Sequence, residues 1–121
     1  MTSQEKIEKF GEITKSMLDL YTRKNSDYGD SFEKTHVEYG ITAFLVRAQD
    51  KINRLRSIDK KGNILVKDES IVDTLQDLAT YAIMTQIELE NDKRRSIIGK
   101  LPPGLNLNPY PPTKQFISEG Q

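Results

Sequence analysis

Apolar residues recur at three- and four-residue spacing in three stretches of the chain, and this period predicts three main helices and no strands. In the first stretch Ile7, Phe10, Ile13, Thr14, Met17 and Tyr21 alternate with lysines and glutamates, which predicts a helix from residue 3 to about 24. Ser3 is the expected N-cap, with Gln4 and Glu5 suited to the first turn. The second stretch, residues 41–58, places Ile41, Phe44, Leu45, Ala48, Ile52 and Leu55 on one stripe. The third, from about 69 to 93, turns Ile71, Val72, Leu75, Leu78, Ala79 and Ala82 toward the expected core. Asp68 or Ser70 is its expected cap, and Lys93-Arg94-Arg95 its expected end, where positive charge suits the helix dipole. Thr80, Met84 and Ile87 continue an apolar pattern on the other face of this helix, which predicts contact with another subunit there.

Three segments break the helical period. Residues 24–40 crowd Asn25, Ser26, Asp27, Gly29 and Gly40 together and read as a long loop. That loop carries Tyr28, Phe32 and Tyr39, either as plugs that close a core or as walls of a ligand pocket. Residues 59–68 form a connector with a Lys61-Gly62-Asn63 turn and a short extended piece at Ile64-Leu65-Val66. All five prolines fall after residue 101, so residues 96–121 read as an extended, polyproline-like tail. Leu101, Leu105, Leu107, Tyr110, Phe116 and Ile117 make this tail too apolar for a bare linker, and it is expected to pack on the bundle or on a neighbouring subunit. The expected fold is therefore all-α: a bundle of three helices with a long aromatic-containing loop in 1–95, an extended tail in 96–121, and completion by oligomerisation into a homo-oligomer.

Composition removes several classes of chemistry. The length of 121 residues suits one core. Lysine plus arginine and aspartate plus glutamate stand at 18 each, a balance that argues against nucleic acid as the main partner. The absence of cysteine excludes disulfides, thiolate metal sites and cysteine nucleophiles, and the single His36 excludes a multi-histidine zinc site within one chain. No run is long enough to span a membrane, and the polar start of the chain is unlike a signal or transit peptide, so a cytoplasmic location is expected.

What remains is a chemistry of charges. Glu69, Asp73 and Asp77 recur every four residues and form one carboxylate stripe, and such like-charge pairs disfavour a helix by a few tenths of a kcal/mol each. Solvent, a basic partner or a metal ion must compensate. Arg47, Lys51 and Arg54 form a basic stripe on the preceding helix, and direct salt bridges between the two stripes would satisfy both without any ligand. Alternatively, Asp50, Glu69, Asp73 and Asp77 supply the hard oxygen ligands that Mg²⁺ prefers. Lys24, Arg47, Lys51 and Arg54 then take phosphate oxygens, and Tyr28 or Phe32 stacks on a base. In a hydrolytic version a metal-bound water attacks phosphorus, with Asp73 and Asp77 as the catalytic carboxylates.

Three blocks carry a resemblance. They are Lys24-Asn25-x-Asp27-Tyr28-Gly29-x-Ser31-Phe32, Arg47-x-x-Asp50-Lys51-x-x-Arg54, and Glu69-Ser70-x-x-Asp73-Thr74-x-x-Asp77-Leu78-Ala79-x-Tyr81. In this order, over roughly residues 10–91, they resemble the nucleotide modification associated domain 1 family of bacteria and their phages. More distantly, the third block is similar to the all-α MazG and dUTPase-like nucleoside triphosphate pyrophosphatases, Mg²⁺-dependent bundles. Their metal sites pair Glu-x-x-Glu with Glu-x-x-Asp, whereas this chain offers Asp50 and acids spaced by four. The resemblance adds Asp27 to the candidate substrate-binding set and implies a phage or bacterial nucleotide-handling protein. Two functions follow: a Mg²⁺-dependent nucleotide hydrolase or modifying enzyme, or a non-catalytic binder that sequesters a signalling nucleotide, for instance a cyclic one, against host defence. A plain interaction protein, all stripes spent in salt bridges, stands beside them.

Overall fold

The computed structural model describes residues 1–60, 69–100 and 104, with the side chains of residues 26–30 and 69 outside that description. Its described residues form three helices and no strand: α1 (Ser3–Tyr39), α2 (Thr42–Lys60) and α3 (Glu69–Gly99). The all-α expectation holds. By compactness the chain divides into two units, Met1–Leu89 and Glu90–Gln121.

The N-terminus of α1 is built by a capping box one residue earlier than expected. Thr2, not Ser3, is the N-cap. Its hydroxyl accepts from the Glu5 N–H at 3.1 Å, while the Glu5 carboxylate accepts from the Thr2 N–H at 3.1 Å. Two N–H groups left open by the helix start are thereby satisfied.

The long loop of 24–40 is not a loop: α1 runs through it without interruption. Asn25, Ser26, Asp27 and Gly29 each favour turns locally, but tertiary packing overrides such propensities. The half-buried Met17 and Tyr21 and the buried Phe32 and His36 fall on one helical phase across the whole stretch. A break anywhere between residues 21 and 32 would throw that burial out of phase. Helix α1 ends where a glycine permits it. Gly40 sits at φ 64° and ψ −142°, a conformation essentially restricted to glycine, and its N–H donates to the His36 carbonyl at 2.7 Å. The Ala43 N–H then donates to the Gly40 carbonyl at 3.0 Å, which starts α2 within two residues.

The core of the first unit is small. Phe32, Ala43 and Met84 are buried together, with Tyr21 and Tyr81 packed on them. Four polar residues are buried as well: His36, Thr74, Thr85 and Glu88. The hydroxyls of Thr74 and Thr85 donate to the carbonyls of Ser70 and Tyr81 one turn earlier on their own helix, which makes burial of a threonine inexpensive.

Two stripes face only partly as expected. On α2 the expected core stripe holds at the buried Ala48 and the half-buried Phe44 and Leu55, but Ile41, Leu45 and Ile52 are exposed, and Ala43, Arg47 and Lys51 also turn inward. On α3 the buried positions Thr74, Met84, Thr85 and Glu88 run along the same side as Asp77 and Tyr81. Of the expected core stripe Ile71, Leu78, Ala79 and Ala82 are half-buried, but Val72 and Leu75 are each 49% exposed, and Met84, expected at a subunit seam, is a core residue of its own chain. The reason is pairing. Where α2 turns Arg47 and Lys51 inward, α3 must turn groups that can receive them, and Asp77 and Tyr81 lie on the face that does so.

Helix α3 also runs past its expected end. Lys93-Arg94-Arg95 lies inside the helix, and Ser96–Gly99, expected in the extended tail, is helical. The Lys100 N–H donates to the Ile97 carbonyl at 3.1 Å and closes the last turn. Within the second unit Arg95 pairs with Asp92 at 2.6 Å. The expected extended pieces at 61–68, the Asp68 cap and the proline-rich tail from 105 to 121 lie outside the described residues, and Ser70 falls within α3.

Candidate functional site

Among the described residues the basic stripe of α2 meets α3 at an ion pair and at an aromatic ring. The Lys51 ammonium lies 3.2 Å from the Asp77 carboxylate. One turn back on α2 and one turn forward on α3, the Arg47 guanidinium lies over the Tyr81 ring, 5.3 Å from its centroid. The opposite directions of these steps make the two helices antiparallel at the site. A cation over an aromatic face is attracted to the negative ring quadrupole without neutralising its charge. Tyr81 is positioned in turn by the core, its ring 5.7 Å from that of Phe32, and Phe32 stands 6.5 Å from the His36 ring. The line Phe32–Tyr81–Arg47 therefore leads from the buried centre to the charged edge.

Arg47 also borders a pocket of about 400 Å³ between the end of α1 and the start of α2. Tyr39, Thr42 and Val46 contribute to its walls, Thr35 and Asp50 supply further polar groups, and the buried Ala43 lies among them. Tyr39 is 59% exposed, leaving ring surface open to a ligand. Apolar walls with a few converging polar groups are the usual make-up of a small-molecule pocket.

The remaining predicted residues are placed as follows. Among the described residues no carboxylate stands at ion-pair distance from Arg47 or Arg54, and Arg54 is exposed. Asp73 is exposed one turn before Asp77 and makes no ion pair among the described residues. Lys24 is exposed on α1. Phe32 is buried to 2% exposure and belongs to the core cluster, so its ring has no open face for a base within the chain. The side chains of Asp27, Tyr28 and Glu69 lie outside the described residues. Of the expected metal ligands, Asp50 lines the α1–α2 pocket and Asp77 is bridged to Lys51, and among the described residues no group of three or more histidine, aspartate or glutamate side chains converges.

Of the aromatic residues read as plugs or pocket walls, Tyr39 is the one that lines this pocket; sequence reasoning missed Thr35 and Thr42 there, and the role of Tyr81 beneath Arg47. Tyr81 was legible as the next step after Asp73 and Asp77 at four-residue spacing. The others depend on α1 being helical to Tyr39, so that Thr35 and Tyr39 occupy successive turns of one face.

Among the described residues no helix is long and apolar enough to cross a membrane. No curated protein and no solved structure matches the chain significantly. Residues 24–89, more than half of the sequence, match the family model described as nucleotide modification associated domain 1, and this span contains both α2–α3 contacts and every residue of the α1–α2 pocket. The chain belongs to the nucleotide modification associated domain 1 family.

Proposed function

We propose that the protein binds a phosphorylated nucleotide along the exposed edge of α2. The base enters the pocket of Tyr39, Thr42, Val46 and Asp50, and the phosphates lie along Arg47, Lys51 and Arg54. The observation that carries this reading is the state of Arg47. It is half-buried, held over Tyr81 rather than against a carboxylate, and it borders the pocket. A guanidinium fixed in this way keeps its full charge and its forked donors for an incoming phosphate. Arg54 lies two turns further along the same helix, and Lys51 between them is shared with Asp77. Tyr39 offers a face for stacking, and Asp50 an acceptor for base or sugar donors.

A Mg²⁺-dependent hydrolysis at the same place is the second reading. Asp73, one turn from Asp77 and without an ion pair among the described residues, favours it. It needs Glu69 or phosphate oxygens to complete the ligand set, since Asp50 stands at a different pocket.

Calorimetry with a panel of nucleoside mono-, di- and triphosphates and cyclic nucleotides, with and without EDTA, tests both. Binding that survives EDTA, weakens about tenfold or more in Arg47→Ala, and leaves the ligand intact is the expected result. Turnover that requires Mg²⁺ and disappears in Asp73→Ala would replace the binding reading with the hydrolytic one. No heat and no rise in melting temperature with any nucleotide would reject both.

A further inference from the structure

Helix α1 has an apolar row that nothing among the described residues covers. Ile7, Gly11, Thr14 and Leu18 follow one another at spacings of four, three and four residues and so lie on one line along the helix. Ile7 is 65% exposed, Leu18 62%, and Phe10 beside them 72%. The Thr14 hydroxyl donates to the Phe10 and Gly11 carbonyls of its own helix, so its polar group is already satisfied. At its C-terminal end the row runs into an apolar groove of about 170 Å³ between Met17, Leu18 and Tyr21 of α1 and Ile83, Met84 and Ile87 of α3.

We infer that this face is where a second copy of the chain docks, with the two α1 helices antiparallel across a twofold axis near Glu12 and Ile13. The row is its own complement when reversed. Ile7 of one copy falls opposite Leu18 of the other, and Gly11 opposite Thr14, while Phe10 is carried toward the partner's groove. An isologous interface requires this kind of self-complementarity. Gly11 supplies a further reason. Glycine weakens a helix interior, and a side chain at this position would meet nothing within 4 Å among the described residues, so no contact among them calls for it. Close approach of a second helix does. The area is adequate: Ile7, Phe10, Leu18, Ile83 and Ile87 expose on the order of 100 Å² each, so a pair of copies can bury roughly 1,000 Å², about the least that a specific interface needs. This surface uses none of the residues assigned to the nucleotide, so either proposal can fail without the other.

The absence of cysteine from the sequence makes the test clean. Light scattering of the full chain at micromolar concentration is expected to give a dimer, and Leu18→Glu is expected to weaken association about tenfold or more. In a chain carrying both Ile7→Cys and Leu18→Cys, mild oxidation is expected to yield a covalent dimer. The two sulfurs of one chain cannot meet, because they stand about 16 Å apart along a single helix. The control, Lys9→Cys with Ser16→Cys on the far side of the helix, is expected to stay uncrosslinked. The cysteine pairs keep the test decisive if Leu18→Glu fails to fold. A monomer at all concentrations overturns the inference. So does a dimer in which the 7/18 pair does not link, which would place the contact on another exposed face such as Ile52 and Leu75.

Discussion

Phe32 and Lys51 show how differently single residues matter here. Phe32 is 2% exposed and sits with Ala43 and Met84 at the centre of a small core. Its truncation to alanine should cost about 3–5 kcal/mol, most of what a domain of this size has to spare, read as a shift in the urea midpoint. A loss below about 1 kcal/mol would show that the core lies elsewhere. The Lys51–Asp77 pair is different, with side chains 27% and 45% exposed. A pair so open to solvent contributes under about 1 kcal/mol. Lys51→Ala should therefore barely move the melting temperature yet reduce nucleotide affinity about tenfold; equal small effects on both would remove Lys51 from the site. The charged residues of this site were all legible from spacing. Their pairing was not: the arginines were equal candidates for the acids, and only the register of α2 on α3 gives Lys51 to Asp77 and Arg47 to Tyr81.

The elements are decided at their ends. Gly40 stops α1 in a conformation that a side chain disfavours, with φ 64° and ψ −142°. There is open space around it, so Gly40→Ala should cost about 1–3 kcal/mol through backbone strain alone, without a steric clash. A neutral outcome in chemical denaturation would mean that the turn relaxes to another conformation. At the other end, Thr2→Ala removes the capping box and should cost about 1 kcal/mol. Because residues 3–16 are exposed, that loss should appear as faster amide exchange in the first turns of α1 rather than as global unfolding. The sequence pattern puts the cap one residue late, at Ser3 instead of Thr2, and makes Gly40 part of a loop instead of the stop of α1. The continuity of α1 between them was hidden, because Asn25, Ser26, Asp27 and Gly29 each favour turns on their own. What outweighs them is the burial of Phe32 and His36 in phase with Tyr21, which no local window contains.

For the whole molecule, the exposed rows are the dominant fact. Ile7, Phe10, Leu18, Leu45, Val72 and Leu75 all stand largely open in the single chain. A chain that completes its burial by association has a melting temperature that rises with protein concentration, by mass action. Scanning calorimetry over a hundredfold range of concentration should show that rise for the natural sequence and a flat response for Leu18→Glu. The sequence by itself determined the helical class, the number of main helices, the absence of thiol chemistry and the family, because these depend on period, residue type and short motifs within single segments. It also picked out the charged residues of α2 and α3. Only the tertiary structure decided which face of each helix turns inward. Hydrophobic period alone assigns Ile41, Leu45, Val72 and Leu75 to the core, but the faces that meet are those on which Lys51 finds Asp77 and Arg47 finds Tyr81. The rotation of a helix about its axis is set by its neighbours. Where an ion pair and a stacked arginine have to be matched, that match turns part of the apolar stripe outward.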